Sequence, residues 1–508
     1  MIRHGLCFQA IIKQPVNDFQ QSGERMKQTS NNFLPRKQLF LFSLASLIAT
    51  VLASSSTIAG SDPLNIVLFV TDDQSPDTGC YGNDAIKTPH LDKLAEEGTR
   101  FDRAFCTTAS CSASRSVILT GLFNHANGQY GHAHSYHHFK TKSTIQSLPM
   151  YLSKAGYRTA RVGKFHVAPE ELYPFDQVLK GNSRHPVEMA NNCRAFLKAK
   201  SDKPFFLYFC TSDPHRSGGI VKSDPNLPNA FGNQEKPRKG LEKISYDPTK
   251  VNVPDFLPDT PVCRSEIAQY YESCSRIDQG LGVLIKNLKD AGVYDKTVII
   301  FTADHGMAFP GGKTTVYEGG MRVPYVIRHP TLRNMSGVSN AMISHVDIAP
   351  TLVDIAGAMP KKNPFHGRSI LPAIKNQKPN EWNRVHASHT FHEITMYYPM
   401  RVVRTDRYKL IWNIAHGLPY PFASDLWAAP TWQDVYKKGP DALYGKRTVR
   451  DYIHRPKFEL FDLQKDPSES INVADDSAYK SILDELKADM KKFQSKTGDP
   501  WKLKWDYE

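Results

Sequence analysis

The sequence predicts an α/β fold: a large mixed central sheet flanked by helices, then a smaller C-terminal β-sheet unit packed by one helix. Three observations predict it. Continuous apolar runs such as 65–71 (NIVLFVT) and 204–210 (PFFLYFC) read as buried strands, since a strand covered on both faces is apolar throughout. Amphipathic helical patterns alternate with these runs, the arrangement of parallel or mixed sheets. After about Asn380 the pattern changes to alternating aromatic and polar runs that end in one charged amphipathic helix.

In chain order, 65–71 gives the first strand. Residues 89–98 predict a helix with Leu91, Leu94 and Ala95 on one face. A helix over 144–155 and a strand over 158–162 follow, then the strand 204–210. Residues 265–291 predict a long helix and 297–302 another strand. Between them, 218–261 is rich in Pro, Gly, Asn and Lys with little periodicity, and a loop of that length is functional or disordered. Aromatic–polar runs near 397–404 and 408–412 and a helix over 478–493 make the second unit. The expected division is an N-terminal extension with a signal over 1–60, a catalytic domain over 62–380 and a C-terminal subdomain over 381–508.

A chain of 508 residues can bury a sizeable core, and 40% hydrophobic with 23% charged residues is ordinary for a globular protein. The balance is basic: 64 Lys+Arg against 51 Asp+Glu gives +13, which suits a polyanionic partner. No long Lys/Arg tract or nucleic-acid-binding motif is present, so nucleic acid is not the expected partner.

Arg36 and Lys37 precede the uncharged apolar run 39–53, and small residues follow it. This is the layout of a secretory signal, and the run is short for a membrane span; an uncleaved anchor is the alternative. Met26 would give a more ordinary start than Met1. The residues Ser22–Arg25 suit a purine-rich, ribosome-binding-like stretch, so the expectation is an exported bacterial protein, periplasmic or secreted. Export permits disulfides among Cys80, Cys106, Cys193, Cys210, Cys263 and Cys274, but their pairing is not legible.

The chemistry concentrates at strand ends, where open α/β sheets bind ligands. Asp72 and Asp73 follow the first strand, and Asp304 and His305 follow the strand 297–302. Carboxylates suit a hard divalent cation, and His305 can complete the set. One acidic pair alone reads as a turn cap; two at strand ends read as a site. Lys164 and His166 follow the strand 158–162. His215 follows PFFLYFC, and Lys313 lies shortly after His305. Cations aimed at oxygens are what transfer of an anionic group needs, and histidines move protons near neutrality. Cys111-Ser-Ala-Ser-Arg115 opens an apolar turn that ends in Leu119-Thr-Gly121. His125, His132, His134, His137 and His138 form a histidine-dense stretch. Zinc is conceivable there, but the stretch lacks zinc-finger or metalloprotease spacing, and a structural or pocket-lining role is the first reading.

With these residues in view, the chain from about Leu64 resembles the type I sulfatases of the alkaline phosphatase superfamily. Within them it is similar to the N-sulfoglucosamine sulfohydrolase (sulfamidase) group. Three stretches carry the narrower likeness: 121–139, 205–216 and 392–401 (HEITMYYPMR). Glu459–Asp462 and Asp466-Pro467 are similar to the family's C-terminal strand and turn. The resemblance implies an alkaline-phosphatase-like sulfatase fold, Ca2+, and a formylglycine made from Cys111 by a maturation enzyme. It implies that Asp72, Asp73, Asp304, His305 and the modified residue 111 bind the calcium. Arg115 would hold the oxygen of residue 111, and Lys164 and Lys313 would bind sulfate. His166 would take the proton that releases sulfate, and His215 would protonate the leaving group.

The chain departs from the family pattern at Ala113, where Pro is commonest, at His305, where many relatives have Asn, and at Lys313, where sulfamidases have Arg. The substrate implied is a sulfated glycosaminoglycan or its oligosaccharides, with His392, Glu393 and Arg401 as candidate sugar readers. N-sulfate of non-reducing-end glucosamine is the first choice. An O-sulfatase, a phosphodiesterase or phosphonate hydrolase of the same superfamily, and a non-catalytic glycan binder are the rivals. The oligomeric state stays open, a homodimer included.

Overall fold

The computed structural model describes residues 63–216, 231–234, 236, 238–375 and 381–507. The signal segment and residues 218–230, 235 and 237 of the 218–261 loop lie outside the described residues.

The central sheet has eight strands: β1 (Asn65–Thr71), β2 (Thr99–Phe101), β3 (Arg158–Gly163), β4 (Gln177–Leu179), β5 (Phe205–Cys210), β6 (Thr297–Ala303), β7 (Tyr325–Arg328) and β8 (Gly337–Ser339). Their order is β4-β3-β5-β1-β6-β7-β2-β8. The strands β4 to β6 run parallel, and β7 is antiparallel to both its neighbours, so the sheet is mixed as predicted. All residues of β1, β5 and β6 are buried, which accounts for their unbroken apolar sequence.

Five helices matter for the site and its frame: α1 (Pro89–Glu96), α2 (Cys111–Thr120), α3 (Leu148–Lys154), α4 (Pro261–Asp290) and α5 (Lys480–Thr497). The sequence placed the start of α3 at 144. It begins at Leu148, because Ser147 is extended and Pro149 fits only the first helical turn. Pro261 and the Thr260 cap, which accepts from the Cys263 backbone N–H, likewise start α4 earlier than its apolar pattern suggests. Every residue of α2 is buried. Gly121 ends α2 at φ +67 beside Phe365 and Pro350, where a Cβ would be both strained and crowded.

A second sheet is wholly antiparallel, in the order β9 (Arg384–His389), β10 (Met400–Thr405), β11 (Tyr408–Asn413), β12 (Phe458–Asp462). Helix α5 covers one face. Leu486 and Met490 pack there against Val403, Leu410, Trp412 and Leu460. The other face shares the main core: Val402 and Ile411 belong to the same apolar cluster as Ile66 and Val298. Cys80, Cys106, Cys193, Cys210, Cys263 and Cys274 are all free thiols. No helix among the described residues is long and apolar enough to cross a membrane.

Candidate active site

The register of the central strands builds the site. Gly163 pairs with Cys210, Cys210 with Val70, and Thr71 with Ala303, so β3, β5, β1 and β6 end level. The segments leaving them are stitched by backbone bonds: Lys164 N–H to Cys210 O, Asp72 N–H to Asp213 O, and Asp304 N–H to Thr71 O. The four strand-end motifs of the sequence thus become one continuous rim. Asp73, His166 and Thr314 adopt φ of +58, +56 and +69 there. Left-handed backbone at non-glycine residues costs free energy and persists where surrounding structure enforces it.

Helix α2 points its first residue into this rim. The Cys111 sulfur lies 3.4 Å from His305 Nε2 and 3.7 Å from Asp73 Oδ1. Ligand atoms of Asp73, Cys111, Asp304 and His305 all lie within 4.8 Å of one another, and the four residues are fully buried. Asp72 joins from the same turn. Three carboxylates this close repel one another. Burial pushes the Asp304 carboxyl up to about 6 against the pull of His305, and Asp72 adds to the rise. A divalent cation among oxygen donors relieves that repulsion, so the donor set fits a metal ion.

Cations surround the cluster. Arg115 stands one turn along α2 from Cys111. Its Nε donates to Asp304 Oδ2 at 3.0 Å and its Nη2 to Asp72 Oδ1 at 3.1 Å. Arg115 therefore grips the carboxylates and sets their orientation. Lys164 Nζ donates to Asp72 Oδ2. Burial alone would raise the Asp72 carboxyl, but Lys164, His215 and Arg115 hold it well below the usual range. Lys313 Nζ is shared by Asp73 at 3.1 Å, Asp425 at 2.8 Å and His215 Nε2 at 2.9 Å. Burial and then Lys313 lower the His215 imidazole to about 4. Burial and Lys164 lower His166 well below its ordinary value. Burial pushes the Cys111 thiol well above its own, and a neutral thiol is a poor nucleophile.

The structure brings together Asp72, Asp73, Cys111, Arg115, Lys164, Asp304, His305, Lys313 and His215, while His166, two residues beyond Lys164, contacts His134. His392 also arrives: its Nδ1 lies 3.1 Å from Ser110 Oγ, the residue before Cys111, and its Nε2 lies 2.9 Å from His132 Nε2. Glu393 accepts from the backbone and hydroxyl of Ser424, next to Asp425.

Arg401 does not come to the site. Its guanidinium is buried and bound in a fork to Asp499 at 2.5 and 2.8 Å, with its remaining bonds to the His389 and Met400 carbonyls. It anchors the C-terminal tail, because β10 turns this residue away from the loop that carries His392. The sequence reading missed Asp425 and Ser110. Asp425 stands alone in Phe422-Ala-Ser-Asp-Leu-Trp427 and carries no motif; only its contact with Lys313 reveals it. Burial would raise its carboxyl, and Lys313 and His215 bring it down to about 2.

Carboxylates at the ends of parallel strands, ringed by cations and faced by a helix that opens on cysteine, make a site suited to a hard cation and an anionic group. Comparison with known proteins supplies the family. A family model described as "Sulfatase" matches residues 64–358, and one described as "N-sulphoglucosamine sulphohydrolase, C-terminal" matches 305–422. The chain belongs to the sulfatase family.

It is 38% identical over 467 residues to the human N-sulphoglucosamine sulphohydrolase, covering 86% of this chain and 91% of that one. An ulvan-active sulfatase of Formosa agariphila is 31% identical, with 89% and 83% covered. A solved structure of a protein in complex with its substrate D-glucosamine-2-N,6-O-disulfate superposes with a TM-score of 0.63 at 22% identity, over 86% of this chain and 99% of that one.

Proposed function

We propose that this chain is an exported, calcium-dependent formylglycine sulfatase that removes the N-sulfate of glucosamine at the non-reducing end of heparan-type glycans. One observation carries the N-sulfate reading. His392 and Glu393 lie within the span matched by the N-sulphoglucosamine sulphohydrolase C-terminal model, and they reach Ser110 and Ser424 beside Cys111 and Asp425. The match to the human N-sulphoglucosamine sulphohydrolase over 91% of its length supports the same substrate class.

Asp72, Asp73, Asp304 and His305 would hold the calcium, which supplies positive charge against a sulfuryl oxygen. Residue 111, once oxidised to formylglycine, supplies a hydrated aldehyde as nucleophile. Arg115 keeps Asp72 and Asp304 in place. Lys164 and Lys313 lie where the sulfuryl oxygens gain charge, and each is kept protonated by its carboxylates. His215, beside Lys313, gives a proton to the departing glucosamine nitrogen. An amine leaves poorly as an anion, so this acid matters more than it would for an aryl sulfate. His166 takes the proton given up at residue 111 when sulfate is released. His392 and Glu393 contact the glucosamine ring. Export through the 39–53 signal, a formylglycine-generating partner and the catalytic and C-terminal division near 380 belong to the same reading.

Desulfation of a panel of N-sulfated, 6-O-sulfated and 2-O-sulfated glucosamines and disaccharides tests it. Turnover of N-sulfoglucosamine well above every O-sulfate is expected. Preference for an O-sulfate would replace the N-sulfatase reading with the O-sulfatase one while leaving the family intact.

A further inference from the structure

The histidine-dense stretch has no metal-ligand spacing of its own, yet the fold completes a set with it. The rings of His132, His134 and His166 form a nearly equilateral triangle, with centroids 4.6, 4.9 and 4.9 Å apart. One nitrogen of each lies within 4.8 Å of the others. His134 Nδ1 is 2.5 Å from His166 Nε2. The Nδ1 atoms of His132 and His166 are buried and have no partner in the protein. A buried imidazole nitrogen left unpaired is costly, and each such atom needs an explanation.

The loop is built rigidly. His132 N–H donates to the His392 carbonyl, Ala133 N–H to Ser112 Oγ, and the Ile394 N–H to His137 Nδ1. A Cβ on Gly131 would sit 2.8 Å from the His392 carbonyl oxygen, so glycine permits the close approach. His134 itself is exposed and gives an entry path.

We propose that His132, His134 and His166 form a second metal site, for a borderline transition-metal ion such as Zn2+, and that its occupation inhibits the enzyme. Three imidazoles with an open fourth position match what zinc accepts. Bond lengths of about 2.0–2.1 Å keep the three nitrogens about 3.4 Å and the ring centres about 5 Å apart, so the triangle needs to open only slightly. All three rings are held neutral by burial and neighbouring cations, the form that binds metal. Lys164 and Lys313 face the site and weaken cation binding; Glu393 faces His134 and offsets them. The hard carboxylate cluster around Asp304 prefers calcium, so the two ions separate by donor type. Inhibition follows because the ion takes the His166 lone pair that the reaction uses as base. That consequence rests on the proposed function; the binding does not.

Zinc is titrated into the calcium-loaded enzyme, in excess calcium, against a chromogenic chelator and in parallel with turnover. One zinc ion per chain and a loss of turnover of about tenfold or more at saturation, reversed by chelation of zinc, are expected. His134→Gln should keep basal turnover and need about tenfold or more zinc for the same inhibition. Absence of stoichiometric binding, or equal zinc response in His134→Gln, overturns the site. A His134→Gln enzyme that loses turnover without zinc and binds it unchanged would make the His134–His166 contact a proton path instead. Failure of N-sulfoglucosamine as substrate leaves the chelator titration readable.

Discussion

At residue 111 the surroundings oppose a thiolate. Burial and the carboxylates of Asp72 and Asp73 keep the thiol protonated against the pull of Lys164. Under the proposed mechanism, oxidation to formylglycine would remove the sulfur and the difficulty with it. Mass spectrometry of the tryptic peptide from active enzyme should show loss of sulfur at residue 111, and Cys111→Ala should fold but not turn over. Full activity with an intact thiol would end the formylglycine reading. His215 sits lower than an ordinary histidine, at about 4, through burial and Lys313. As a general acid it acts protonated, so its charged fraction grows as pH falls. The kcat/KM for N-sulfoglucosamine should therefore rise from pH 7 toward pH 5. His215→Ala should lose about 10²–10⁴-fold on that substrate, far less on an aryl sulfate, and should flatten this pH dependence. Equal losses on both would make His215 a sulfate-positioning group. Asp425→Asn removes one of the two carboxylates that hold Lys313. Its expected signature is a larger rise in KM than fall in kcat, about tenfold, since Lys313 keeps its charge but loses its place. An unchanged KM would remove Asp425 from the site.

At the scale of elements, α2 and β10 show how one stretch of sequence serves two ends. Helix α2 is buried along its whole length, so it presents Cys111 and Arg115 on one face without freedom to turn. The segment 392–401 divides: the loop carrying His392 reaches Ser110, whereas Arg401, inside β10, faces Asp499 and the tail beyond α5. Arg401→Ala leaves Asp499 buried without its cation and should destabilise by about 3–5 kcal/mol while leaving KM unchanged. Chemical denaturation checks the first part and kinetics on folded enzyme the second. The pH dependence has a definite sign. Burial would raise the Asp499 carboxyl, but Arg401 holds it well below the usual range. Its stabilising contribution is complete above about pH 4 and is lost as pH falls toward the depressed folded value. Stability of Arg401→Ala should therefore converge on that of the wild type in acid. A raised KM in Arg401→Ala would return this residue to the sugar site.

For the molecule as a whole, the site is the point where two sheets and the cation-rich loops meet. Fully buried carboxylates at Asp72, Asp73 and Asp304 are a cost to the folded state that a bound cation would offset. A calcium ion that binds only the folded chain at a thousandfold its Kd adds about 4 kcal/mol, so thorough chelation should lower Tm and activity together. Calcium should restore both. A Tm indifferent to chelation would remove the metal from the cluster. The net charge of +13 acts at longer range. It favours encounter with a sulfated chain, and raising ionic strength should slow capture of oligosaccharides more than of a monosaccharide.

The sequence by itself determined the strands that anchor the site and most of its charged groups. Both are local: β1, β5 and β6 are apolar because they are covered on both faces, Asp72 and Asp304 follow β1 and β6 directly, Lys164 follows β3, and His215 lies in the segment that leaves β5. Short strands such as Thr99–Phe101 and Gly337–Ser339 were not legible, because three residues carry no period. The same holds for Asp425, whose chemistry depends on Lys313 more than a hundred positions away. Likewise, His132 and His134 have no ligand spacing until the strand end at Gly163 brings His166 beside them. Arg401 was misread for the same reason: a charged residue near a functional motif declares its type, but only the packed structure decides which partner desolvates with it. Local pattern fixes what a segment can become; long-range pairing fixes which side chains meet, since that choice is made when the core closes around them.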